Sequence, residues 1–284
     1  MTASFSETIK KAALIGGAGA LAVGLPLFLV APGGVTKRQK APFDGRSFAH
    51  RGLHSEDKSV PENSLEAFRL AGEAGYGVEL DVQLSSDGQV VVFHDDTLDR
   101  ICGVHGNVID YSLADLRRMK LLDTEETIPL FTEVLDALSQ GAGPVIVELK
   151  SGKRNGELCE KTRELLRAYP GVYCVESFDP GIVNWFRKNA PEIIRGQLAM
   201  PAEYYAAGTN PLLARLLAGC RFSFLNRPDF IAYRVGFRPD CVLRMRRKGI
   251  LLICWTSHDY EKDAKENDGV IFESCTPPLR YNPE

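Results

Sequence analysis

The sequence lacks the patterns that would assign it at once to several classes of protein. Its seven cysteines are odd in number and include no C-x-x-C pair, so we expect neither a disulfide framework nor a cysteine-based zinc site. Basic residues do not outnumber acidic ones, since the formal net charge is -3, and nothing indicates binding to nucleic acid. The composition shows no second break after residue 46, which predicts one domain at 46–284.

A stretch without any charged residue, 12–31, lies near the amino terminus. As a helix, twenty residues are about 30 Å long, which is enough to cross the hydrocarbon core of a bilayer. We therefore expect a short tail at 1–11, a single transmembrane anchor at 12–31 and a linker at 32–45. A cleaved signal peptide is the alternative, although its apolar core is usually shorter and no A-x-A cleavage site is evident.

The orientation of this predicted anchor is inferred from the cysteines. Basic residues flank the apolar stretch on both sides, so the distribution of positive charge does not decide the orientation. Seven thiols without a pairing pattern favour a reducing compartment. We therefore expect a protein of the membrane whose large domain lies on the cytoplasmic side.

Alternating strand and helix patterns predict an α/β fold, a (β/α)8 TIM barrel, because eight strands over about 240 residues match that fold. The longest stretch between strands, about 95–123, is expected to be a small insertion after the second strand. A doubly wound open sheet is the alternative, but it would carry a glycine-rich phosphate loop after strand one. The predicted strands lie at 46–51, 77–84, 144–150, 172–177, 193–198, 221–225, 250–255 and 269–273.

The second predicted strand, Gly77–Leu84, carries two acids on one face. Glu79 and Asp81 are two residues apart, and side chains at that spacing in a strand point the same way. Two such carboxylates repel each other and need a cation, a proton or basic neighbours. The strand therefore carries either a divalent metal site or two solvated acids on an exposed face.

Other polar residues stand at the predicted strand ends, which meet at one mouth of a barrel where active sites lie. Each alone has an ordinary explanation, because strand ends open into solvent. Together they predict one polar site. They are His50 and Arg51 at the end of strand one, His94 at the end of the extension of strand two, Glu148 and Lys150 on strand three, Glu176 on strand four and Trp255 on strand seven.

Three of these acids suit one divalent cation. The carboxylates of Glu79, Asp81 and Glu148 offer only oxygen ligands, which are the ligands that Mg²⁺ and Ca²⁺ prefer. Zinc would more often recruit histidine or cysteine. We therefore expect one Mg²⁺ or Ca²⁺ ion at these three side chains.

The remaining charged residues suit the cleavage of a phosphodiester. Arg51 and Lys150 supply positive charge for a phosphate. His50 and His94 can act as acid and base near neutral pH. A cation, two basic side chains and a histidine pair together predict a small phosphodiester as substrate.

Several ordered motifs between about residues 48 and 277 resemble those of the glycerophosphodiester phosphodiesterase family. They are Phe48-Ala49-His50-Arg51-Gly52, Pro61-Glu62-Asn63-Ser64, Gly77-Val78-Glu79-Leu80-Asp81-Val82, Val91-Val92-Phe93-His94-Asp95, Val147-Glu148-Leu149-Lys150 and Cys254-Trp255-Thr256. The resemblance implies a TIM barrel with a small insertion, and hydrolysis of glycerophosphodiesters to glycerol 3-phosphate and an alcohol. It also implies the roles given above: metal ligands Glu79, Asp81 and Glu148, acid–base pair His50 and His94, and phosphate contacts Arg51 and Lys150.

Some residues keep two interpretations. Trp255 either stacks on the substrate, as we predict, or packs at the barrel rim. Glu62 and Asn63 either lie near the site or cap a helix. The acids Asp95 and Asp96 either orient His94 or belong to a solvated loop. We assign no role to His54 or His105, and the last strand ends in Glu273-Ser274 where many family members have Thr-Asp.

Two other functions remain open at this point. The predicted anchor would bring the domain close to lipid, which favours a phospholipase of C or D type that acts on lipids or lysolipids. A barrel that binds phosphodiesters without cleaving them is the third possibility. It has no need of the histidine pair.

Overall fold

The computed structural model describes residues 33–139, 141 and 143–281. The predicted tail at 1–11 and the predicted membrane anchor at 12–31 lie outside these residues, so the anchor stays a prediction. Within the described ranges, no helix has both the length and the apolar character that crossing a membrane requires.

Eight parallel strands form a closed barrel, which confirms the predicted TIM-barrel fold. The first strand pairs with both the second and the last, so the sheet closes on itself. A ninth, short strand is antiparallel to the second and extends it as a hairpin. The strands are β1 Arg46–His50, β2 Gly77–Leu84, β3 Val90–Val92 (the hairpin strand), β4 Val145–Leu149, β5 Tyr173–Ser177, β6 Arg195–Ala199, β7 Phe230–Arg234, β8 Leu251–Ser257 and β9 Gly269–Phe272.

Helices cover the outside of the barrel, and several begin at capping residues that the sequence provides. The Ser64 side chain accepts a hydrogen bond from Ala67 N and starts α2, while Asp179 caps α7, which has Pro180 in its first turn. The helices are α1 Lys37–Lys40, α2 Leu65–Glu73, α3 Asp99–Cys102, α4 Leu113–Leu116, α5 Phe131–Leu138, α6 Asn155–Ala168, α7 Pro180–Asn189, α8 Pro211–Ala218, α9 Ser223–Asn226, α10 Asp240–Arg247 and α11 Tyr260–Asp263. Two 3-10 turns lie at Val108–Asp110 and Ala202–Tyr204.

The apolar core has two layers, and the alternation of each strand separates them. One face of β2 and β4, including Leu80 and Val147, packs against the helices with Phe68. The other face points into the barrel, where Ile146 lies in a second apolar cluster with Phe230. Toward the carboxyl ends of the strands, the inward positions become acidic. The barrel is therefore apolar at one end of its interior and charged at the other.

Residues 95–123 lie outside the barrel strands and contain α3, a 3-10 turn and α4. They have a small core of their own, in which Leu98, Ile101, Val108 and Leu116 pack with Phe93 at the end of the β3 hairpin. Arg100 of this segment donates to Glu62, which also contacts Arg51 at the end of β1, so the segment lies beside the mouth.

The prediction of a strand at 221–225 is wrong. Residues 223–226 form α9 instead, and Ser223 donates its hydroxyl hydrogen to Cys220 O at 2.7 Å. The sixth strand of the barrel is β7, Phe230–Arg234, whose first four residues are buried. Apolar residues buried on both faces are typical of a strand in a parallel sheet, whereas the alternating pattern at 221–225 occurs in a connecting turn.

A close contact between neighbouring strands explains why β6 contains a glycine. Gly196 pairs with Phe230 of β7, and a Cβ atom at Gly196 would lie 2.2 Å from the Phe230 ring. The aromatic ring therefore fills the space that a side chain on β6 would occupy. The barrel interior depends on this pairing of the smallest residue with a large one.

Replacing Gly196 by alanine should destabilise the barrel, because the added methyl group overlaps a buried ring. Overpacking of this kind costs roughly 1–3 kcal/mol, which lowers the thermal midpoint by several degrees. Circular dichroism during heating would measure the shift. Gly156→Ala is the matched control, since Gly156 is exposed in α6 and has no atom near the added Cβ. An equal midpoint for both variants would contradict the packing argument.

Candidate functional site

Three carboxylates lie together inside the mouth of the barrel. Glu79 and Asp81 extend from β2 and Glu148 from β4, where Asp81 and Glu148 are direct neighbours across the two strands. All three are buried, and one oxygen from each lies within 4.8 Å of the other two. Two oxygens bound to one ion at 2.0–2.6 Å are at most about 5 Å apart. The three residues therefore fit a single Mg²⁺ or Ca²⁺ ion, in type and in spacing.

The charges in this mouth are not balanced by the protein alone. Burial and the neighbouring Asp81 and Glu148 carboxylates raise the pKa of Glu79 well above its usual value. Burial and then Glu79 and Glu148 also raise the pKa of Glu176, which extends from β5 next to Glu148. The side chains of Lys150 and Arg51 carry the positive charges near these acids. The acids are four in number: Glu79, Asp81, Glu148 and Glu176. A bound divalent cation would remove this excess of negative charge.

Asp81 is the acid that the protein keeps ionised. Burial alone would raise the pKa of Asp81, but the positive charges of Lys150, His94 and Arg51 outweigh burial and hold it well below the usual value. Asn63 Nδ2 also donates a hydrogen bond to Asp81 Oδ2 at 2.9 Å. His94 and Arg51 therefore both lie within electrostatic reach of the carboxylate cluster.

Lys150 joins two members of the cluster. Its Nζ atom lies 2.7 Å from Asp81 Oδ1 and 2.9 Å from Glu148 Oε1. The residue follows β4 directly, and its backbone N–H donates to Val82 O of β2 at 3.0 Å. Burial opposes its charge, yet Asp81 and Glu148 raise the pKa of Lys150. The ammonium group is thus a fixed positive charge beside the cluster.

Arg51 lies at the end of β1 and contacts two acids of the cluster, Glu79 and Asp81. Its backbone N–H donates to Glu79 Oε2 at 3.2 Å, and its Nε lies 3.6 Å from Asp81 Oδ2. A guanidinium N–H donates to Glu62 at 2.5 Å. Although burial opposes ionisation, hydrogen bonds and charge from Arg100 and Arg51 lower the pKa of Glu62 to about 2.

His50 stands between the cluster and another acid, Glu273. Its Nε2 lies 4.0 Å from Glu79 Oε2, and its Nδ1 lies 2.6 Å from Glu273 Oε2. Burial lowers the pKa of His50, although the contact with Glu273 acts in the opposite direction. The hydrogen bond from His50 lowers the pKa of Glu273 to about 2. Because Glu273 is ionised and accepts this hydrogen bond, Nδ1 carries a ring proton, and Nε2 is the ring nitrogen that faces the cluster.

His94 is held by a carboxylate in a similar way, through the 95–123 segment. Its Nδ1 lies 2.6 Å from Asp95 Oδ1. Arg100 of α3 donates to Asp95 at 2.6 Å and to both oxygens of Glu62 at 2.7 and 2.8 Å. A continuous chain of contacts therefore runs from His94 through Asp95, Arg100 and Glu62 to Arg51.

Trp255 of β8 lies at the rim, and its contacts favour packing. Its Nε1 donates to Ala232 O at 3.1 Å. Its ring packs edge-to-face against Phe178, with centroids 5.5 Å apart, and Arg234 lies over the same ring at 5.9 Å. These contacts are those expected of a side chain that packs at the barrel rim. A contact between Trp255 and the substrate stays a prediction.

The structure brings the predicted residues to one mouth and adds partners that the sequence did not identify. Glu62 and Asn63 lie at the site, and the N-cap of α2 is Ser64. Asp95 contacts His94 rather than belonging only to a solvated loop. In the sequence, Glu273 stands out only as a departure from a family motif. Its position at the end of the last predicted strand was the signal that could have placed it at the site.

The chain is similar to known proteins over most of the barrel. Residues 50–272 match the model of the Glycerophosphoryl diester phosphodiesterase family. A glycerophosphodiester phosphodiesterase of Caldanaerobacter subterraneus is 40% identical over 111 residues, which are 37% of this chain and 44% of that protein. A lysophospholipase D of Rattus norvegicus is 33% identical over 156 residues, 50% of this chain and 48% of that protein. The chain therefore matches about half the length of these relatives.

A solved structure shows the same fold over most of the chain. The glycerophosphodiester phosphodiesterase of Thermotoga maritima superimposes with a TM-score of 0.59 at 28% identity. The superposition covers 80% of this chain and 93% of that chain. The barrel, and not only its motifs, is therefore similar to that of the Thermotoga maritima protein.

Mg²⁺ or Ca²⁺ should stabilise the protein, because either ion relieves the repulsion among Glu79, Asp81 and Glu148. An ion at 100 times its Kd adds about 2.7 kcal/mol to the free energy of unfolding, which is measurable as a rise in thermal midpoint after EDTA treatment. Glu148→Gln should lose this rise. Glu160→Gln, on the exposed side of α6, should keep it. The same rise in both variants would exclude the cluster as the binding site.

Proposed function

The chain belongs to the Glycerophosphoryl diester phosphodiesterase family, and from this premise and the geometry of the barrel mouth we propose that it hydrolyses glycerophosphodiesters. The products are glycerol 3-phosphate and an alcohol. One observation carries the proposal: the Nε2 atom of His50, whose other ring nitrogen contacts Glu273, lies 4.0 Å from a carboxylate of the buried acid cluster. A proton acceptor next to a site fitted for a divalent cation is what cleavage of a phosphodiester requires.

The anionic phosphate of the substrate binds beside the cluster. Arg51 and Lys150 hold positive charge on the two sides of Asp81, so they attract the phosphate and fix its position. When bound by Glu79, Asp81 and Glu148, a divalent cation supplies further positive charge to the phosphoryl oxygens. The buried position of these groups strengthens their effect, because little water screens them.

The two histidines transfer the protons. The attacking hydroxyl, of water or of the substrate's glycerol, forms the new bond to phosphorus and gives its proton to His50 Nε2, while Glu273 fixes the ring through Nδ1. His94 is oriented by Asp95 and serves as the partner that gives a proton to the leaving alcohol. Two histidines, each held by a carboxylate outside the metal cluster, therefore supply the base and the acid that the cleavage requires.

A substrate with an acyl chain is the second candidate, and one feature of the mouth favours it. The segments that follow β6 and β7 expose large apolar side chains, namely Tyr204 at 53%, Leu212 at 65% and Phe237 at 81%. A lysophospholipid presents the same diester with an apolar chain attached, and the rat relative is a lysophospholipase D. The same residues would cleave such a substrate, with choline or a similar alcohol as the leaving group.

A screen of diesters tests the reaction and its need for metal together. The full-length chain, treated with EDTA, should release little product until Mg²⁺ or Ca²⁺ is added back. Phosphorus NMR should then show glycerol 3-phosphate from a glycerophosphodiester, or lysophosphatidic acid from a lysophospholipid. Full activity in EDTA would contradict the metal requirement. A barrel that only binds phosphodiesters would give no phosphorus product with either ion.

Replacing either histidine should remove most of the turnover. General acid and base catalysis each contribute about 10²–10⁴ in rate, so His50→Ala and His94→Ala should each lower kcat by at least about 10². His105→Ala is the matched control, since this histidine lies on the surface of the insertion. Circular dichroism would verify that all three variants fold. Turnover of His50→Ala equal to that of the control would exclude the mechanism.

A further inference from the structure

A second group of side chains with metal-ligand atoms lies on the far side of the His50 ring from the acid cluster. His50, His54 and Glu273 each offer one ligand atom, and these atoms lie within 4.8 Å of one another. Their side chains are 13%, 16% and 29% exposed, and His54 and Glu273 line an open cleft. The proposed reaction gives His54 no part, so its position needs another explanation.

Glu273 lies at the centre of this group. Its Oε2 is 2.6 Å from His50 Nδ1 and 3.9 Å from His54 Nε2. The backbone of Glu273 is fixed from two directions, since its N–H donates to Ser257 O and its carbonyl oxygen lies 3.0 Å from His258 Nδ1. The carboxylate is therefore directed at both imidazole rings by a rigid strand end.

A tight turn brings His54 back beside His50. Arg51 and Gly52 both have a positive φ, 55° and 81°, which reverses the chain directly after β1. A Cβ at Gly52 would lie 2.9 Å from the backbone of Ala67 in α2, so only glycine allows this close approach. Leu53 N also donates to Ala67 O at 2.9 Å. The backbone that carries His54 is thus fixed before any ion binds.

We propose that His50, His54 and Glu273 form a binding site for Zn²⁺. Two imidazole nitrogens and one carboxylate oxygen are the protein ligands of open zinc sites, in which water takes the fourth position. The acid cluster, by contrast, offers only oxygens and suits harder ions. To bind zinc, His50 Nδ1 and Glu273 Oε2 must separate from 2.6 Å to about 3.3 Å, the edge of a tetrahedron with bonds of 2.0–2.1 Å. A small rotation of the glutamate side chain provides this.

Zinc at this site inhibits the enzyme, and this step rests on the proposed function. The ion takes the lone pair of His50 Nδ1, so the ring proton moves to Nε2, the atom that faces Glu79 at 4.0 Å. A protonated Nε2 cannot accept another proton. Zinc on one side of the ring therefore prevents His50 from acting as a base. The acid cluster on the other side keeps its own cation.

Binding is tested directly with the full-length chain in excess Mg²⁺, so that the acid cluster is already filled. Competition with a coloured chelator measures the affinity for Zn²⁺, and visible absorption of bound Co²⁺ reports on the ligands. We expect one tight zinc site per chain. In His54→Ala the affinity should fall at least about tenfold, because the loss of even an indirect partner costs 10–100-fold. His105→Ala, with a side chain that is 98% exposed, should bind as the unaltered chain does.

Inhibition is measured in the same three proteins. Zn²⁺ should inhibit the unaltered chain and His105→Ala alike, while His54→Ala should need a higher concentration by the same factor as its loss of affinity. Equal affinity in His54→Ala, or displacement of zinc in proportion to added Mg²⁺, would overturn the proposal. If no protein turns over substrate even without zinc, the proposed function is wrong, and the comparison of affinities still decides whether the zinc site exists.

Discussion

Repulsion among buried carboxylates is the constraint on which the rest of this structure depends. The inward positions of β2 and β4 end in Glu79, Asp81 and Glu148, and Glu176 of β5 adds a fourth acid. Ionised groups in a barrel interior are costly unless opposite charges compensate them. Lys150 and Arg51 supply two such charges, which leaves room for one divalent cation. The apolar end of the barrel, where Phe230 packs against Gly196, keeps the strands in the register that brings the acids together.

The same constraint explains how the neighbouring side chains are held. Each histidine of the mouth contacts a carboxylate outside the cluster, His50 through Glu273 and His94 through Asp95. These partners come from distant parts of the chain, since Glu273 follows the last barrel strand and Asp95 belongs to the insertion. Arg100 connects the insertion to Glu62, and so to the barrel itself. The insertion therefore holds one histidine of the mouth in position.

The local parts of the site could be predicted from the sequence, and the long-range parts could not. The acids of β2 and the Glu148–Lys150 pair are two residues apart, and the alternation of a strand fixes which way they point. The contact between His50 and Glu273 joins residues 223 positions apart and exists only because β9 closes the barrel against β1. Nothing near Arg100 in the sequence indicates its two carboxylate partners. The prediction of a strand at 221–225 was wrong because a short alternating pattern of apolar residues also occurs in turns. The burial that identifies Phe230–Arg234 as the strand depends on neighbouring strands that are far away in the sequence.

The central claim is that the three acids hold one divalent cation beside His50. A crystal of the protein grown with Mn²⁺, which scatters anomalously, would locate the ion directly. The account predicts one strong peak at about 2.0–2.3 Å from an oxygen of each of Glu79, Asp81 and Glu148. It also predicts that the Lys150 ammonium group no longer contacts both Asp81 and Glu148. No peak at the cluster, with Lys150 still bonded to both carboxylates, would contradict it.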